Sequence, residues 1–81
     1  MTFIATFFTH FGAIKFKKRC DKEGVSAGTS PVPRALSSSC GTCVRFEAPE
    51  GLPFTDFSEE VDTVVRVCDD GSYKELYRSE D

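Results

Sequence analysis

The sequence has 81 residues, 40% hydrophobic and 28% charged, which is enough for one small domain over 1–81 with a modest core. Its formal net charge of −3 argues against a nucleic-acid binder, because phosphate contacts need a net basic face. No apolar run is long enough to span a bilayer, and the opening MTFIATFF lacks the basic leader and cleavage site of a secretory signal, so a cytoplasmic protein without a membrane partner is expected.

Residues 2–8, TFIATFF, are β-branched and aromatic and predict a strand. Thr9 is placed to cap a helix that ends before Gly24. Its inner face carries Ala13, Phe16 and Cys20, while Lys15, Lys18, Arg19 and Lys22 point outward. The basic cluster Lys15, Lys17, Lys18 and Arg19 reads as a solvated face rather than a phosphate patch. VSAGTSPV (25–32) predicts a weak edge strand, since proline cannot donate to an interior ladder. CVRFEA (43–48) alternates, with Val44 and Phe46 on one face and Cys43, Arg45 and Glu47 on the other.

A proline- and glycine-marked loop covers 49–57. Phe57, Val61, Val64, Val65 and Cys68 recur at helical spacing, and Asp56 with Glu59 resembles a capping box. A second helix is therefore expected, ended by Asp69-Asp70-Gly71, with a last strand over 73–78. The order β-α-β-β-α-β predicts an α+β, ferredoxin-like two-layer sandwich with one four-stranded antiparallel sheet. Strands one and three would be central. Cys40 would then lie near Thr9 and His10 at the start of the first helix, with Cys68 at the same end and Cys20 at the opposite one.

Four cysteines are present: Cys20, Cys40, Cys43 and Cys68. Without a secretory signal they read as free thiols, and Cys20 as a small core hydrophobe. Cys40 is followed by Gly41, which leaves room for a second molecule to approach the sulfur. A nearby helix N-terminus and Arg34 would favour the thiolate, which is the nucleophile. The competing reading pairs Arg34 with Asp69 or Asp70 at the surface.

Cys40-Gly41-Thr42-Cys43 is a CxxC match that opens a strand, whereas thioredoxin-like pairs open a helix. A zinc site would need His10 and Cys68 as well; no metal and no cofactor are assigned. His10 is either a helix-start residue or a proton acceptor for Cys40. Ser37, Ser38 and Ser39 either satisfy turn hydrogen bonds or cradle an anion. A reactive-thiol protein thus stands against a thiol–disulfide, small-anion or metal-binding module.

Pro31-Val32-Pro33-Arg34, followed by Leu36 through Gly41, resembles the bacterial selenium/sulfur carrier protein-like family. So do the opening strand with Thr9-His10 and the helix ending at Gly24. The resemblance implies a small carrier, more a non-catalytic protein than an enzyme. It would hold sulfur or selenium on Cys40 as a persulfide or perselenide. A cysteine desulfurase or selenium donor and an acceptor enzyme would be its partners. Arg34, Ser38, Ser39, Gly41 and His10 would line the cargo, with Cys43 as a resolving thiol. At Cys43 many members are expected to hold another residue. A homodimer would help so small a core.

Overall fold

Every side chain from Phe3 to Phe7 is buried, as suits a central strand covered on both faces. In the computed structural model, residues 1–36, 40–53 and 56–79 are described. The elements are β1 (Thr2–Phe7), α1 (His10–Lys22), β2 (Ser26–Pro31), β3 (Thr42–Glu47), β4 (Val61–Val67) and β5 (Tyr73–Arg78). They form one five-stranded sheet in the order β2-β3-β1-β4-β5, with every neighbouring pair antiparallel. Among the described residues no helix is long and apolar enough to cross a membrane.

The first half follows the sequence expectation closely. Thr9 is extended and caps α1, its Oγ1 accepting from the Gly12 amide at 3.1 Å. Gly24, at φ +75°, turns the chain out of the helix. The buried face of α1 carries Gly12, Ala13, Phe16 and Cys20. It packs on Phe3, Ala5 and Phe7 of β1, Val44 and Phe46 of β3, and Val61 and Val64 of β4.

The opposite face of the sheet holds Ile4, Cys43 and Val65, partly covered by Val32, Leu36, Val67 and Tyr73. The chain after β2 therefore folds back over the face that α1 leaves open. This gives a helix layer on one side of the sheet and a loop on the other.

The second half departs from expectation. Residues 61–67 form strand β4 instead of a helix, and pair with β1. The cause of the misreading is a β-bulge. Thr6 pairs with Thr63 but Phe7 with Val61, leaving Asp62 as the extra residue. Val61 and Val64 thereby share the helix-side face although they are three apart, which imitates a helical repeat. Val65, which helical spacing would put beside them, faces the other way.

The expected four-stranded β-α-β-β-α-β pattern is thus corrected to β-α-β-β-β-β. The place beside β1 is taken by 61–67, and 73–78 becomes an added edge strand. Asp56 caps no helix. Arg19 instead grips it, reaching the Asp56 carbonyl at 2.7 Å and its carboxylate at 2.6 Å, and that guanidinium holds the carboxyl below its ordinary range.

Gly12 is where α1 meets the turn before β4. A Cβ built there would stand 2.7 Å from the Cβ of Glu60, an atom too close to the backbone to swing away. Gly12→Ala should therefore destabilise the protein. Relief of helix glycine is worth about 1 kcal/mol, against about 1–3 kcal/mol for overpacking. Urea melts should show a lower midpoint; a raised one would mean that the turn yields freely.

Candidate functional site around Cys40

The segment joining β2 to β3 is pinned at its base. Pro31 pairs with Thr42, and the Val32 amide donates to the Gly41 carbonyl at 3.2 Å. A turn from Pro33 to Leu36, closed by a 3.0 Å bond, lets Val32 and Leu36 cover the face opposite α1. Cys40 returns to the other side. Its half-buried side chain packs against the helix-side core.

The Cys40 thiol donates to the Thr42 carbonyl at 3.3 Å. The Thr42 hydroxyl lies 3.3 Å from Nδ1 of His10, the first residue of α1. Cys40, Thr42 and His10 are thus gathered where the helix begins. Gly41 has φ +73°, a left-handed turn that favours glycine, and among the described residues beyond its chain neighbours nothing lies within 4 Å of where a Cβ would stand.

Residues 2–66 match the family model described as "Putative Se/S carrier protein-like". The chain belongs to that family. The matched region runs from β1 into β4 and contains the whole Cys40 loop, while β5 lies beyond it. No curated protein and no solved structure matches the chain.

In this family member the two cysteines of the CxxC pair are sorted to different faces. Cys43 is fully buried beside Ile4 and Val65 on the face opposite α1. Its sulfur lies 3.3 Å from the Ser30 hydroxyl and donates to the Pro31 carbonyl at 3.6 Å. All four cysteines are unbridged thiols. Two-residue alternation is the cause: once Val44 faces the helix, Cys43 must face away.

Arg34 is exposed in the turn and makes no ion pair among the described residues. The expected alternative partner Asp70 is engaged by Ser72, whose amide and hydroxyl donate to it at 3.0 and 2.6 Å. Ser37, Ser38 and Ser39 lie outside the described residues.

Cys68 is corrected. Because 61–67 is a strand antiparallel to β1, Val67 pairs with Thr2, and Cys68 falls at the end of the sheet away from Cys40. Cys20 is also away from Cys40, deep under the C-terminal half of α1. Burial, with the charge of Asp21 adding to it, pushes its thiol up to about 11. Among the described residues no three His, Cys, Asp or Glu side chains converge to hold a metal ion. Thr42 is the residue that sequence reading passed over. Its signal was a hydroxyl at the first position of a strand that begins beside a helix start.

Proposed function

We propose that this protein carries sulfur or selenium on Cys40 between a donor enzyme and an acceptor enzyme. The observation that carries the reading is the placement of the Cys40 thiol. It is half-buried at a glycine-flanked loop end, donates to the Thr42 carbonyl, and lies at the end of the sheet where α1 begins. Membership of the Se/S carrier-like family supports it. A carrier needs one reachable nucleophile rather than an enclosed substrate pocket, and a half-buried thiol at a loop end suits that need.

Loading is thiol exchange on a donor persulfide. The Cys40 thiolate attacks the terminal sulfur of the donor's Cys–S–SH. The Cys40 S–S bond forms as the donor's S–S bond breaks, and the donor cysteine leaves as thiolate. Selenium would move by the same exchange from a donor's Cys–S–SeH. Neither transfer needs an outside oxidant. The amide end of α1 favours the anionic product, and His10, through Thr42, is placed to orient the loop end. A cysteine desulfurase or a selenium donor suits the first step, and a reducing compartment such as the cytoplasm suits free thiols.

Cys43 could resolve the persulfide by closing a disulfide only if the start of β3 opened, since its sulfur is on the far face of the sheet. Mass spectrometry after incubation with a desulfurase and cysteine tests the reading. A gain of about 32 Da mapped to Cys40 is expected. A loss of about 2 Da instead, from a Cys40–Cys43 disulfide, would replace carriage with a redox switch.

A further inference from the structure

The outward face of α1 is unusual for a protein of net charge −3. Its first turns expose Phe11 and Ile14, at 65% and 40% of full exposure. The Lys15 ammonium sits 5.6 Å from the centre of the Phe11 ring. Lys18 and Lys22 continue the stripe at helical spacing, both exposed and without an ion pair among the described residues. The acidic residue of α1, Asp21, is already held by Lys17 at 2.8 Å. The stripe is thus an apolar tip with a basic tail on an otherwise acidic molecule. Phe11 adjoins His10, which is joined through Thr42 to Cys40.

We propose that this face is the docking surface for the enzyme that hands sulfur to Cys40, and that the enzyme presents an apolar recess rimmed by carboxylates. The inference rests on the carrier reading. A donor must bring its persulfide to bonding distance of the Cys40 sulfur, so its surface must cover the end of the sheet where α1 starts, and the neighbouring Phe11 and Ile14 are covered with it. Phe11 is the anchor, since buried aromatics dominate small interfaces. Lys18 and Lys22 attract an acidic rim and orient the encounter, an effect that salt weakens.

The probe is the cysteine desulfurase of the source organism with cysteine, with inorganic polysulfide as a donor that needs no docking. Loading of Cys40 is followed by mass spectrometry. Phe11→Ala should slow enzyme-driven loading about tenfold or more. Lys18→Glu with Lys22→Glu should slow it about tenfold at low salt and flatten its salt dependence. Polysulfide should load both variants at the wild-type rate.

Equal enzyme-driven rates in wild type and variants would overturn the docking surface and leave the carrier intact. So would loading of the wild type by polysulfide alone. Failure of both donors to load wild-type Cys40 would overturn the carrier reading itself. A wild-type dimer in light scattering that Phe11→Ala dissolves would assign the face to a second copy. Duplex DNA binding lost with the two lysines would assign it to nucleic acid. Either result also overturns the proposal.

Discussion

Cys40→Ser should abolish the sulfur adduct and shift stability by about 1 kcal/mol or less, whereas Cys20→Ser should do the reverse. Cys40 is half-buried at a loop end, where substitutions are mild, but a hydroxyl is not the nucleophile that a persulfide exchange needs. Cys20 is fully enclosed under α1. A serine there places a hydroxyl among apolar neighbours, at about 1–3 kcal/mol if it finds no partner. Adduct mass and urea midpoint, measured on the same two variants, separate the roles. Similar midpoint losses with both adducts intact would erase the distinction.

The same buried thiol gives the protein an alkaline limit. Folding raises the Cys20 value from 9.0 to about 11, so the folded state keeps a proton that the unfolded state has released. This contribution is complete below the ordinary thiol value and is lost as pH climbs through about 11, roughly 2–3 kcal/mol in all. The difference between wild type and Cys20→Ala isolates the cysteine: the wild type should fall more steeply between pH 9 and pH 11. Parallel curves would mean that the thiol is already hydrated in the folded protein.

The first half of the fold was legible because each local signal agreed with the next. Thr9 caps, Gly24 ends the helix, and the alternation of 43–48 fixes which side chains meet α1. The loop around Cys40 could be placed near His10 for the same reason. The second half failed at one residue. Asp62 is inserted into the pairing with β1 and throws Val61 and Val64 onto one face. Period-based reading then meets a three-residue step and reports a helix. The β-branched run Val61, Thr63, Val64, Val65 and Val67 was the contrary signal, since such residues favour strands. The site suffered in turn: reading 57–68 as a helix brought Cys68 to the wrong end of the sheet. No periodicity could show that Thr42 joins Cys40 to His10, because that contact depends on how β3 and α1 meet in space.

Phe46→Ala should be the most damaging single truncation in the core, at about 3–5 kcal/mol. Phe46 is 1% exposed and stands between the two layers. Its ring stacks on Phe3 of the neighbouring strand at 5.3 Å and meets Phe16 of α1, tilted, also at 5.3 Å. Phe16 in turn touches Phe7 at 5.4 Å. Removing the ring at position 46 therefore opens a cavity between sheet and helix and strips both Phe3 and Phe16 of a partner. A domain of this size has roughly 4–12 kcal/mol in total, so the variant should lose at least about a quarter of its stability. Leu76→Ala is the control. It lies on the edge strand at 38% exposure, where the pairing with β4 skips a residue, and should change stability by about 0.5 kcal/mol or less. A double-mutant cycle between Phe16 and Phe46 should return a coupling of about 0.5–1.5 kcal/mol, which reports the helix–sheet contact itself. Equal losses for Phe46→Ala and Leu76→Ala, or no coupling in the cycle, would mean that α1 is not docked through this aromatic cluster.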